Sequence, residues 1–296
     1  MRVAALALFG CLPLAAFAQE PQRFRSAAEL VSVDVLVTAD RQPVLGLTAG
    51  DFELIDNGVP QTIDQIYVEQ LPVNVMLVLD TSTSVEGDRL AALKAGAQSV
   101  IDWLRPKDRA AILSFSHRLE MPAAITGDRV VLRRAVEALA AEGSTGLRDA
   151  AYAAFALRGA DNTRTLLLLF SDGLDTSSIL SEARLMAIAR RSDAIVYAIG
   201  VRETPRLTVR GPVASAEVTD DRFLNALARE TGGRLLHAEE HRDIQRTFTR
   251  VLEEFNSRYV LGYAPRGVAK EGWHKLEVRL KKKHGTVLAR RGYFGS

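Results

Sequence analysis

The stretch Val73-Asn74-Val75-Met76-Leu77-Val78-Leu79 runs directly into Asp80-Thr81-Ser82-Thr83-Ser84. A nearly continuous apolar run of this length, opened by Pro72 and closed by a polar loop, reads as a strand buried on both faces. Leu90, Leu93, Ala97, Val100, Ile101 and Leu104 then recur at helical spacing until Pro106 stops them. Working outward, residues 110–115, 166–170 and 194–199 are further buried-type strands. Helical patterns around 132–140, 147–157 and 179–190 separate them, and a last unit runs from Phe223 through Leu235-Leu236 to a helix over 244–255. Strands alternating with helices of this length predict an α/β fold with a doubly wound, mostly parallel sheet over residues 73–256.

On either side the period changes. In residues 30–38, Val31, Val33, Val35 and Val37 alternate with Ser32, Asp34 and Thr38, as in a half-buried strand. Phe52 and Leu54, then Asp56-Asn57-Gly58 ahead of Ile63 and Ile66, read as a hairpin whose turn residues tolerate positive φ. Three more strands are expected at 259–263, 273–280 and 286–294, with Lys281-Lys282-Lys283-His284-Gly285 as a hairpin turn. Neither β region has enough strands to stand alone. The expectation is one small β-sandwich built from residues 24–70 and 257–296, with the α/β domain inserted between its halves.

Residues 1–18 differ from the rest: Arg2 is the only charge, an Ala/Leu-rich run follows, and Ala16-Phe17-Ala18 precedes Gln19. That is the pattern of a cleavable signal peptide, and it predicts a secreted or periplasmic protein. Cys11 is the single cysteine and lies inside this segment, so no disulfide supports the fold. Leu8-Phe9-Gly10-Cys11 also resembles a lipoprotein box, which leaves a lipid anchor at Cys11 as the alternative. No later stretch reaches the roughly 20 apolar residues that span a bilayer. With 38 basic and 36 acidic residues the chain lacks the basic excess of a nucleic-acid binder.

Three predicted loops at the carboxyl ends of strands or just before a helix carry oxygen donors: 80–84, Gly143-Ser144-Thr145 and Ser171-Asp172-Gly173. In open α/β sheets that edge is where ligands bind. Spacing of two lets Asp80, Ser82 and Ser84 turn toward one point, and Thr145 and Asp172 can complete the set. Singly, each loop reads as an ordinary helix cap. Together, in this order, they resemble the von Willebrand factor type A family over roughly residues 73–255. Its metal ion-dependent adhesion site is an Asp-x-Ser-x-Ser motif, then a Thr, then an Asp, and Asp80, Ser82, Ser84, Thr145 and Asp172 match all five positions. The flanking segments Arg258-Tyr259-Val260-Leu261-Gly262-Tyr263 and Arg290-Arg291-Gly292-Tyr293-Phe294 resemble a subgroup of secreted bacterial proteins that carry this domain.

The five residues are hard oxygen donors without His or Cys, which favours magnesium, with manganese or calcium next. Two carboxylates and three hydroxyls leave an octahedral ion short of ligands. The resemblance implies that an Asp or Glu carboxylate of a protein partner takes the open position, as in a metal-dependent binding or adhesion module rather than an enzyme. One alternative is a phosphohydrolase-like enzyme with Asp80 as nucleophile, although Ser82 stands where such enzymes need a second Asp. Another is a scaffold with a purely structural metal. Asp149 is a second candidate carboxylate near the site, kept out of the ligand set. His237 and His241 are the one histidine pair at ligand-like spacing. The Pro- and Arg-containing stretch 201–218 exceeds the length of an ordinary loop and is expected to be disordered or part of the ligand rim.

Overall fold

The computed structural model describes residues 30–67, 71–158, 163–171, 175–201, 221–282 and 284–295. The expected signal segment, Cys11, Asp172 and most of 201–218 lie outside these residues. The chain begins with β1 (Val31–Ala39) and β2 (Gln42–Pro43), followed by β3 (Phe52–Asp56), β4 (Val59–Gln61) and β5 (Gln65–Tyr67). Asn57 and Gly58, between β3 and β4, both take positive φ (47° and 84°), which is why an Asn-Gly pair sits at this two-residue turn.

Next come β6 (Val73–Asp80), α1 (Asp88–Trp103), β7 (Arg109–Phe115), β8 (Leu119–Thr126), α2 (Arg129–Glu137), α3 (Leu147–Leu157) and β9 (Arg164–Phe170). They are followed by α4 (Glu182–Arg191), β10 (Ile195–Val201), α5 (Asp221–Glu230), β11 (Leu235–Ala238) and α6 (Ile244–Asn256). Six of these strands form one sheet in the order β11-β10-β9-β6-β7-β8, parallel except for β8. The run 73–79 is apolar on both sides because both sides are covered. Val73, Val75, Leu77 and Leu79 pack with Leu93 and Ala97 of α1, Leu132 of α2 and Phe248 of α6. Met76 and Val78 pack on the other face with Ala150 and Phe155 of α3, Leu185 of α4 and Leu227 of α5.

β8 is not anticipated from the sequence. It is an edge strand whose ladder to β7 is interrupted by register shifts, and Pro122 lies within it. Those are features tolerated at sheet edges, and they erase the alternation that would announce a strand.

The chain ends with β12 (Tyr259–Tyr263), β13 (Gly272–Leu280), β14 (Thr286–Ala289) and β15 (Gly292–Gly295). They join the N-terminal strands in two sheets, β14-β1-β12-β5 with β2 on β1, and β15-β13-β3-β4. Val33, Val35, Phe52 and Leu54 share a core with Tyr259, Leu261, Tyr263 and Leu276. The sequence suggests one strand over 286–294, but it breaks at Arg290-Arg291, where the chain passes from one sheet to the other. Residues 281–285 therefore connect strands of different sheets rather than close a hairpin.

Candidate metal centre

In the central sheet, β7 and β8 lie on one side of β6, and β9, β10 and β11 lie on the other. The strand order reverses between β6 and β9, so the loops leaving these neighbours diverge to opposite faces and open a crevice at their carboxyl ends. Asp80, the last residue of β6, stands at that crevice and is fully buried. Its Oδ1 accepts the Ser82 amide N–H at 2.9 Å, and its Oδ2 accepts the hydroxyl of Ser171, just past β9, at 2.7 Å. The Ser171 hydroxyl thus crosses the switch point. The sequence pattern places Ser171 in the third donor loop but assigns the ligand role there to its neighbour Asp172.

The first loop is a tight turn. Thr81 donates its amide to the Phe115 carbonyl, Ser82 is extended, and residues 83–85 make one turn of 3-10 helix. This brings the Ser82 and Ser84 hydroxyls to 3.0 Å from each other, the first buried and the second exposed. Three hydrogen bonds lash this loop to the second one: Glu142 N–H to the Thr81 carbonyl at 2.8 Å, and the Thr83 amide and hydroxyl to the Gly143 carbonyl at 3.0 and 3.1 Å. Gly143 has φ of +72°, and a Cβ there would fall 1.9 Å from His117 Nδ1. A side chain there would both strain the backbone and force the His117 ring to move.

Thr145 follows, buried, two residues before α3. Its amide donates to the Thr176 hydroxyl at 3.0 Å, and its carbonyl accepts the amides of Thr176 and Ser177. The loop after β9 is thereby tied to the second loop. Asp175 receives the Arg148 guanidinium at 2.7 Å and the amides of Arg148 and Ser178. Burial alone would raise its carboxyl, but these hydrogen bonds from Ser178 and Arg148 hold it below the ordinary carboxylate range. Asp149 accepts the amides of Ile179 and Leu180, both at 2.9 Å. Its carboxylate is a clamp for the 175–180 segment, a role that spacing along the chain does not reveal.

The structure thus carries Asp80, Ser82 and Ser84 on one turn and Thr145 on the loop bonded to it. Asp172 lies between described residues Ser171 and Asp175 but outside the described set. Asp80 and the two serines suit a hard cation: a carboxylate offers about four lone-pair sites and a hydroxyl two. The Ser82–Ser84 contact uses a single lone pair. Among the described residues no three His, Cys, Asp or Glu side chains gather as a metal group, so a carboxylate-rich or imidazole site is not formed there. His237 instead bonds Asp221 through Nε2 at 3.0 Å.

Residues 75–174 match the family described as von Willebrand factor type A domain. An uncharacterized protein of Synechocystis is 29% identical over 135 residues, covering 40% of this chain. The match takes in 32% of that relative, so the chain spans about a third of its length. Among solved structures, a von Willebrand factor type A protein from Catenulispora acidiphila superposes with a TM-score of 0.54 at 12% identity, over 90% of this chain and 75% of that one. The von Willebrand factor domain of a type V pili tip protein from Porphyromonas gingivalis does so at 0.52 and 14%, over 68% and 99%. At such identities the likeness is one of fold.

Proposed function

We propose that this chain, which carries a von Willebrand factor type A domain, is a non-enzymatic protein-binding or adhesion module that works through a divalent metal on the rim of its central sheet. The ligands are Asp80, Ser82, Ser84, Thr145 and Asp172, and the ion is magnesium, with manganese or calcium as substitutes. The observation that carries the reading is the buried Asp80 carboxylate at the switch point, beside two serine hydroxyls 3.0 Å apart. When bound, the ion supplies a Lewis-acid position for the Asp or Glu carboxylate of a protein partner. The chain's own part is to hold the oxygens in place before the partner arrives, which lowers the cost of ordering them.

We further read the architecture as a doubly wound domain, residues 73–256, inserted into a β-sandwich formed by 24–70 and 257–296. Support comes from the antiparallel pairing of β1 with β12 and of β3 with β13, and from their common core. No described helix is long and apolar enough to cross a membrane. With residues 1–18 read as a signal peptide, we assign the module to the cell envelope or the exterior. A pili tip protein with a domain of this fold is compatible with that setting.

Calorimetric titration of magnesium into the full chain and into Asp80→Ala tests the metal. Affinity should fall by more than the roughly 10- to 100-fold typical of residues that merely support a ligand. Capture of envelope proteins with magnesium and again with chelator tests the role. Metal binding without metal-dependent capture would leave a structural ion, and turnover of phosphate esters lost in Asp80→Ala would favour the enzyme reading.

A further inference from the structure

At the opposite end of the central sheet, where β9 and β10 begin, a cleft of about 240 Å³ opens between the α/β layer and the strands β1 and β12. Its walls include Arg290, Arg164, Asp34, Asp193, Thr231 and Ser32. Two guanidinium groups and two carboxylates line it, but they are not all paired with one another. Asp34 is bonded by the Arg164 guanidinium at 2.7 Å and has the fully buried Arg258 at 3.8 Å. Asp193 is paired with Arg158 at 3.0 Å. Arg290 has no ion pair among the described residues: one Nη donates to the Ser32 carbonyl at 3.1 Å, and its buried Nε has no hydrogen-bond partner. Of the charged groups that line the cleft, Asp34 is held by Arg164 and Asp193 by Arg158 from outside it, which leaves Arg290 as a lining charge with no ion pair among the described residues.

The Nε N–H is sealed within the protein, whereas the rest of the half-buried guanidinium lines the cleft. The backbone holds Arg290 in this position. Gly232, with φ of +82°, packs so closely that a Cβ there would lie 2.4 Å from the backbone nitrogen of Arg290, and the adjacent Thr231 forms part of the cleft wall. Burial also depresses the Arg290 pKa, partly offset by the fields of Asp193 and Asp34, though a guanidinium remains charged at physiological pH. The rest of the lining is Thr163 and the apolar Leu71, Pro72, Ile195 and Val260. The volume falls below the roughly 300–1,000 Å³ of ordinary small-molecule sites.

We propose that this junction cleft is a binding site for a short organic carboxylate, its charge on Arg290 and its hydrocarbon part against Leu71, Pro72, Ile195 and Val260. The guanidinium fork matches a carboxylate in geometry as well as sign. The site is separate from the candidate metal centre and does not depend on it.

The test is amide chemical-shift titration of the full chain, with chelator present, using hexanoate, hexan-1-ol and inorganic phosphate as probes. Hexanoate should bind saturably and shift the amides of Ser32, Ile195 and Thr231, whereas hexan-1-ol should not. Arg290→Gln should weaken hexanoate by about tenfold or more, and Arg290→Lys, which keeps the charge but loses the fork, should fall between. If Arg290→Gln does not fold, the contrast between hexanoate and hexan-1-ol on the unaltered chain decides. Absence of saturable hexanoate binding, equal binding of the alcohol, undiminished binding in a folded Arg290→Gln, or binding of phosphate alone would each overturn the proposal.

Discussion

Gly143 illustrates how one residue sets the geometry of the rim. Its left-handed φ and its contact with His117 leave no room for a side chain, and its carbonyl is the acceptor that fastens the Asp80 loop to the Thr145 loop. Gly143→Ala should therefore cost about 1–3 kcal/mol in urea unfolding, from backbone strain together with displacement of the histidine. It should also weaken magnesium binding with all five proposed ligands unchanged. Wild-type stability and affinity in this variant would mean that the two loops are not coupled. At this scale the oxygen donors are legible in the sequence, because Asp-x-Ser-x-Ser is a local pattern. Ser171, Thr176 and Asp175 are not: their partners, Asp80, Thr145 and Arg148, lie 91, 31 and 27 residues away and meet them only once β6 and β9 are neighbours.

Among the elements, the loop after β9 is held chiefly from the start of α3, by Asp175 with Arg148 and by Asp149 with the Ile179 and Leu180 amides. Asp175 is lowered in the folded chain relative to its ordinary value. Its contribution to stability is thus full above about pH 4, the usual carboxylate value, and is lost as pH falls through the lowered folded value. The protection factor of the Ser178 amide, taken against its intrinsic exchange rate at each pH, should fall in that acid range. Asp175→Asn should show fast exchange already at neutral pH and a flatter response to acid, and identical profiles would argue against the clasp. The buried strands and amphipathic helices are legible because each repeats a period along the chain. β8 and the break at Arg290-Arg291 are not, since an edge strand with Pro122 and a crossing between sheets leave no periodic trace.

For the whole molecule, Arg258 links the two layers. Fully buried, it donates to the Tyr197 hydroxyl of β10 and to the carbonyls of Gly232, Asp34 and Leu288. Arg258→Met should leave those acceptors unsatisfied and Asp34 less compensated, and it should destabilise the chain by about 3–5 kcal/mol in urea unfolding. A loss under about 1 kcal/mol, the scale of an exposed ion pair, would show that the layers hold together without it. Burial of Arg258 could not be read from sequence, because its partners come from both layers at once.

In the proposed function, the carboxyl edge of β6 and β9 holds a divalent cation on Asp80 and its neighbouring hydroxyls. Manganese, a paramagnetic substitute for magnesium at hard oxygen sites, reports its own position by broadening nearby amide signals. Substoichiometric manganese added to the full chain should broaden Ser82, Ser84, Thr145 and Ser171 first, excess magnesium should restore them, and Asp80→Ala should abolish the effect. Broadening centred elsewhere, or unchanged in Asp80→Ala, would contradict the account.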